Sequence, residues 1–433
     1  MKKVWPCLMI LFAVALMSAS VGLAQEYALK DLYQQALKNS EKIKYAEENL
    51  YIAQMIKSKA WAVLMPRVTA FGTYNRFTEE KRSVSGVLIQ PEQSGSWGVR
   101  ADEAFSLSAR ELDALKIAGQ SITKSEFDLD TAKSDFVLAV ASSYYDVLKA
   151  KKALEIAAAN VERLTQYRHF VEKRVKVGEL TKTALLRADG ELSGARADYL
   201  RATNAFKLTR AALIRITGIE ETFRLKEGGT PAADVDPFET LRQTAITSRT
   251  DLKSYDMQTQ MAGQQVKYAR GAFWPSVGLF AIYSGSDQNP ATATLLRESV
   301  LAGVSLNFPF FEGGLRVAEF KEARAKERQA HLAYDDLKKN VDIELQGAYL
   351  NLETQKGALK FLEDQLVFAE DNYNAVLRQY ENGLATSLDV MDANALLLSS
   401  ERNVVEALYG YQLAHLKVRN SSGTLLRFVQ EGH

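Results

Sequence analysis

The chain has 433 residues, with 54 basic against 53 acidic side chains, a balance that gives no electrostatic footprint for nucleic acid. Its one cysteine, Cys7, lies near the start, so the remainder holds neither disulfides nor thiolate metal sites. Four scattered histidines, His169, His331, His415 and His433, have no metal-ligand spacing and no nucleophile constellation, which argues against an enzyme and against a resident cofactor.

The opening "MKKVWPCLMILFAVALMSASVGLAQ" sets two lysines before an apolar run and ends in small residues. This is the layout of a secretory signal, residues 1–24, with cleavage expected after Ala24 and Ala19 as second choice. Loss of Lys2 and Lys3 leaves 52 basic against 53 acidic residues. Cys7 precedes most of the apolar run and so is not the acylated first residue of a lipoprotein. No later stretch has the roughly 18 uninterrupted apolar residues of a spanning helix. Such an exported chain is periplasmic, secreted, or crosses an outer membrane as β-strands.

Beyond the signal the chain is duplicated. "AVLMPRVTAFGTYN" is matched by "AFWPSVGLFAIYS", with Pro66 opposite Pro275, and "KVGELTKTALLRAD" by "ENGLATSLDVMDAN", with Gly178 opposite Gly383. Matched residues, Tyr144 and Tyr349 among them, lie about two hundred positions apart. The organisation is a first repeat over 25–217, an irregular connection over 218–237 rich in Gly, Pro and Asp, a second repeat over 238–421 and a tail over 422–433.

Each repeat reads as helix, two strands, very long helix, tight turn, long helix. Strands are predicted at about 67–78 and 96–107, and at about 276–284 and 298–308. In the clearest, Val300, Ala302, Val304, Leu306 and Phe308 alternate with Ser299, Leu301, Gly303, Ser305 and Asn307, as when lipid lies on one face and water on the other. "SWGVRADEAFSL" is poorer, because Glu103 falls on the face of Trp97, Val99, Ala101 and Phe105. Trp97, Tyr74, Trp274 and Phe308 are placed for interfacial girdles. The loops "EKRSVSGVLIQPEQSGS" and "GSDQNPATATLLR" are expected to cap the outer face.

No proline interrupts Arg110–Lys176 or Leu315–Glu381, so each is expected as a helix of roughly 100 Å. In the second, Leu345, Ala348, Leu352, Gln355, Leu359, Leu362, Leu366, Ala369, Tyr373, Val376 and Tyr380 form a seam of coiled-coil spacing. The first is weaker: Val137, Val140, Tyr144, Val147, Leu154, Ala158 and Val161 follow the step, but Lys151 interrupts it. Four strands cannot close a membrane barrel, and an open edge in lipid costs several kcal/mol per unpaired group. A membrane reading therefore requires several copies, and a conducting pore favours three or more. The rival is a periplasmic coiled-coil adaptor or spacer, against which the alternating Val300–Phe308 strand and the matched strand pairs argue.

With these features in place the chain resembles the TolC-type outer membrane efflux proteins over nearly its whole mature length. "YALKDLYQQALKNSEKIKYAEENLYIAQ" is similar to the family's opening helices. Pro309, Phe310, Phe311, Glu312, Gly313 and Gly314 match its strand-to-helix signature, which the first half lacks, having "FSLSARELDAL" instead. The resemblance implies a mainly α fold with a small membrane β-barrel: a homotrimer whose twelve strands cross outer membrane lipid and continue into a twelve-helix tunnel. It also implies a periplasmic adaptor and an inner-membrane pump or ABC exporter as partners, in efflux or type I secretion.

At the turns, Gly178, Leu180 and Thr181, with Gly383, Leu384, Ala385 and Thr386, are the expected adaptor-contacting tips. After Asn382-Gly383, Thr386 can cap the next helix with Asp389 at the third position of a capping box. Asp389 and Asp392 also share one helix face, and three copies would crowd six carboxylates at a common axis, raising some apparent pKa values and attracting cations. The resemblance assigns this pair, with Tyr380, to a pore constriction, and the crowded charge of Asp389 and Asp392 makes them the expected place of cation block. The corresponding first-half positions hold Ala184 and Arg187. The family's closing bridge would need an arginine at Ala385 and an acid at Ala184, so repulsion balanced against coiled-coil packing is the expected gate.

Overall fold

A computed structural model describes residues 25–227, 235–292 and 295–431. The signal, the second half of the 218–237 connection and His433 fall wholly or partly outside them. The chain forms two compact units, one within 1–44, 130–249 and 339–433, the other within 45–129 and 250–338.

In chain order the elements are β1 (Gln25–Tyr27), α1 (Leu29–Asn39), α2 (Glu41–Ala62), β2 (Arg67–Arg76), β3 (Lys81–Arg82), β4 (Leu88–Gln90) and β5 (Gln93–Ser106). The two long helices of the first half come next, α3 (Arg110–Lys176) and α4 (Lys182–Thr217), then β6 (Phe223–Leu225), α5 (Phe238–Ser248), α6 (Thr250–Gly271), β7 (Ser276–Asn289) and β8 (Glu298–Asn307). The chain ends with α7 (Leu315–Glu381), α8 (Ser387–Ser421) and α9 (Leu425–Gln430). Both proline-free runs are thus single helices of 67 residues each. Among the described residues, no helix is long and apolar enough to cross a membrane.

In the second unit, β2, β5, β7 and β8 make one antiparallel sheet in that order. Register joins separate alternations into one surface. Val68 lies opposite Ala101, Ala101 opposite Ala281, and Ala281 opposite Ala302, so the apolar residues of all four strands share a face. Glu103 interrupts it opposite Leu279. Three aromatic rings lie across cross-strand glycines: a side chain on Gly98, Gly285 or Gly303 would meet Phe71, Trp97 or Phe280 at 2.8, 2.6 and 2.6 Å. Close ring packing over these glycines restores the surface that a missing side chain removes. Strand β7 runs five residues beyond its predicted end, because Gly285–Asn289 continue to pair with Gln93–Trp97. Within the loop between β2 and β5, Lys81–Arg82 and Leu88–Gln90 pair as a short hairpin.

The first unit holds the four-helix region. Every residue of the predicted α7 seam is buried or half-buried. Its polar member, Gln355, fits because it faces Gly410, where an added side chain would meet its Oε1 at 3.0 Å. The α3 seam departs from expectation. Ala158 is exposed, and the buried line passes instead through Ala157, Asn160, Leu164, Tyr167 and Val171. An untwisted helix drifts against a strict seven-residue step, and here the drift shifts the buried face by one position. Lys151, which breaks the pattern, pairs with Glu227 at 3.1 Å. The segment over 218–237 is not wholly irregular: its Phe223–Leu225 pairs in parallel with Gln25–Tyr27.

Candidate pore constriction and hairpin tips

The two helical turns share one backbone solution. Gly178 and Gly383 have φ of 81° and 76°, a region that glycine enters without steric cost. Gly178 N–H donates to the Val175 carbonyl and Glu179 N–H to that of Arg174, while Gly383 and Leu384 repeat the pair on Tyr380 and Gln379. Satisfying the last carbonyls this way ends one helix and aims the chain into the next.

Chemistry then separates them. In the second turn Thr386 and Asp389 form a reciprocal cap: the Thr386 amide and hydroxyl both donate to Asp389 Oδ2 at 2.7 Å, and the Asp389 amide donates to Thr386 Oγ1 at 3.3 Å. These bonds favour the ionised carboxyl, with the Thr386 hydroxyl the larger cause, and hold Asp389 below the usual carboxylate range. Asp392 is exposed one turn on, and among the described residues no salt bridge reaches either carboxylate. The first turn has no counterpart: Thr181 makes no side-chain cap, and Ala184 stands where the acid would be.

Tyr380 does not stand with the aspartates. It is 4% exposed in a core with Tyr167, Val171, Ala369, Tyr373, Val390 and Ala393. Its ring centroid is 5.6 Å from that of Tyr167 and 5.8 Å from that of Phe170. Burial pushes its hydroxyl pKa well up. Leu180, Ala184 and Ala385 are half-buried against the same core, whereas Leu384 is exposed, as are Gly178, Thr181, Gly383 and Thr386.

Several residues that fasten the two hairpins carry no signal in the sequence. The Arg174 guanidinium donates to the main-chain carbonyl of Glu381, the last residue of α7, and stacks 4.8 Å from the Phe170 ring centroid. Tyr167 donates to Ser387 Oγ at 2.8 Å. Farther along, Arg163 grips Glu401 through two bonds of 2.9 and 3.0 Å, and the buried Asn394 amide donates to Asn160 at 3.0 Å. Only the off-step Asn160 hints at this in sequence, since the partners lie more than two hundred residues away.

The strand-to-helix signature also takes form. Gly313 and Gly314 have φ of 62° and 86°, and Glu312 pairs with Arg316 at 2.6 Å, while Pro309 and Phe311 precede the turn. The first half makes the corresponding turn without glycine: Ala109 takes φ 55°, and Ser108 Oγ ties the turn down by donating to the Gly271 carbonyl at 3.0 Å.

Comparison with known proteins agrees with this architecture. The outer membrane efflux protein family matches twice, over residues 32–219 and 241–424, which coincides with the duplication. The chain is 25% identical to the outer membrane protein TolC of Vibrio cholerae, over 98% of this chain and 96% of that one. It is 23% identical to TolC of Escherichia coli, over 98% and 87%. The crystal structure of the outer membrane protein VceC from Vibrio cholerae superposes with a TM-score of 0.78 at 20% identity, covering 91% of this chain and 96% of that one. The duplicated helical repeats, the strand hairpins carried with them and these matches place the chain in the outer membrane, as a member of the outer membrane efflux protein family of channel-tunnels.

Proposed function

We propose that three copies of the chain form one conduit, in which Asp389 and Asp392 ring the periplasmic entrance and the hairpin tips meet a periplasmic adaptor. An inner-membrane pump or ABC exporter supplies the cargo. The family is one of channels rather than enzymes, and the work of this chain is to provide a path. The observation that carries the constriction is the exposed acid pair on one hairpin alone, without a salt-bridge partner among the described residues. Asp389 keeps its charge while it caps, because a carboxylate accepting two hydrogen bonds is stabilised as the anion. Around a threefold axis such charge concentrates cations and opposes close approach of the three tips.

Tyr380 contributes from behind this ring, as the packed anchor that holds the end of α7 to α3. The exposed Leu384, beside Gly383 and Thr386, offers an apolar contact for an adaptor at the same end, with Gly178, Leu180 and Thr181 on the neighbouring tip. Single-channel recording of the D389A/D392A double variant tests the constriction. Loss of cation preference and of block by divalent cations is expected; a channel with both unchanged overturns the ring.

A further inference from the structure

The sheet face opposite the apolar one, which a membrane barrel turns toward its lumen, is nearly free of charge. Among its paired strand residues only Arg67, Arg100 and Asp102 are charged, and they stand together. Arg67 lies opposite Asp102, Asp102 opposite Phe280 and Phe280 opposite Gly303, in one cross-strand row. Arg100 is the next residue of β5 on that face, opposite Thr69 and Ile282. Two guanidinium groups thus compete for one carboxylate, and the contest is settled along the strand rather than across it. Arg100 Nε donates to both oxygens of Asp102, at 2.6 and 2.8 Å. Arg67, although directly opposite, forms no ion pair among the described residues. The terminal nitrogens of Arg100 make no hydrogen bond there either. The cluster therefore keeps a net positive charge and a set of unspent N–H donors.

The surroundings form a receptacle. A cavity of about 720 Å³ is lined by Arg67, Arg100 and Asp102 together with Met65, Phe280 and Ser305, a volume within the range of small-molecule sites. Gly278 keeps its floor open, since an added side chain would meet Ser305 Oγ at 2.6 Å. The Phe280 ring lies across Gly303 and gives the charged row a flat apolar neighbour.

We propose that this cluster binds an organic anion, a carboxylate carried on a flat apolar body. The planar fork of Arg67 takes the carboxylate through two parallel N–H groups. The free terminal nitrogens of Arg100 add a second contact, and Phe280 and Met65 cover the body. Asp102 is the internal competitor: by holding Arg100 it limits how much positive charge the ligand meets. The proposal rests on the conduit reading for the anion's path to the lumen. Its charge is opposite in sign to that of the Asp389–Asp392 pair, so one chain offers separate stations to cations and to anions.

The test is isothermal titration of 2-naphthoate into the full-length protein in detergent, measured against a detergent blank. Saturable binding is expected, with the uncharged 2-naphthylmethanol weaker by about tenfold or more. Arg67→Gln, at an exposed position, should weaken naphthoate binding by about tenfold. Asp102→Asn removes the competitor and should tighten it, a gain that damage to the fold cannot imitate. Native affinity in R67Q, or weaker binding in D102N, overturns the site. Inorganic phosphate binding as tightly as naphthoate overturns the apolar half of the recognition. Conductance of the native protein across a planar bilayer separates this result from the conduit reading. Naphthoate binding without conductance keeps the site and refutes the conduit, whereas conductance without binding refutes the site alone.

Discussion

The two hairpin tips are one backbone carrying two chemistries. Their glycines, their paired turn hydrogen bonds and their helix starts correspond residue for residue. The second tip spends its polar groups on itself: Thr386 and Asp389 cap α8, and Leu384 is left outside. The first tip divides its charge: Arg174 pairs with Glu179 of its own turn at 3.4 Å and also reaches across to the Glu381 carbonyl, and Leu180 packs inward. A cationic group at a helix C-terminus meets both unpaired carbonyls and the negative end of the helix dipole. Duplication has thus kept the turn and divided the labour, with one tip acting as clasp and the other presenting charge.

The largest expected effect comes where the two tips share a core. Tyr380 and its first-half counterpart Val175 both pack there, the first buried and the second half-buried. Tyr380→Ala is expected to cost about 3–5 kcal/mol, as for deletion of a buried aromatic ring. Val175→Ala removes less apolar surface, for a cost below about 2 kcal/mol. Urea unfolding followed by helical circular dichroism checks both. Equal losses would mean that Tyr380 is not the anchor and would return it to the pore.

How much of this is legible in the sequence depends on where each signal lies. The long helices are readable to the residue, because proline-free runs end at glycine-bearing turns or strand ends. The α7 seam is readable because its apolar step is unbroken save at Gln355. The α3 seam is not fully readable, since the eye follows the seven-residue step past Ala158 while the helix turns Ala157 and Asn160 inward. The turn at Ala109 is hidden because alanine gives no sign of a positive φ, and Ser108, which holds it, bonds to a main-chain carbonyl. Arg174 is invisible for the same reason: its partner is the backbone of Glu381, which carries no sequence identity. The acid pair is legible, but the degree to which Asp389 is occupied with its own cap shows only in the folded turn, where Thr386 donates to it twice.

If the two turns are one backbone solution, their glycines should respond alike to substitution. An added side chain at Gly178 or Gly383 would meet nothing within 4 Å, so any cost is conformational alone. Gly178→Ala and Gly383→Ala are each expected to cost about 1–2 kcal/mol, the penalty of a left-handed backbone for an L-residue. The same unfolding curves measure it, and the result of interest is equality. A tip that tolerates alanine much better than the other would have a different turn.

The smallest effect tests the division itself. Thr386→Ala removes the side-chain half of a working cap and should cost about 1 kcal/mol, whereas Thr181→Ala, at a helix start without such a bond, should be near neutral. The acid half of the same cap adds a pH signature. Because the Thr386 hydroxyl and amide hold the folded Asp389 pKa below its unfolded value, the folded state binds fewer protons there. Its stabilisation is therefore complete above the unfolded carboxylate value of about 4 and is lost as pH falls through the lower folded value. Thermal unfolding of the native protein and Asp389→Asn should accordingly differ most at neutral pH, and the gap should narrow below about pH 4. A gap independent of pH would mean that the carboxylate charge takes no part in the cap. Asp389 would then be set apart from Ala184 by shape alone.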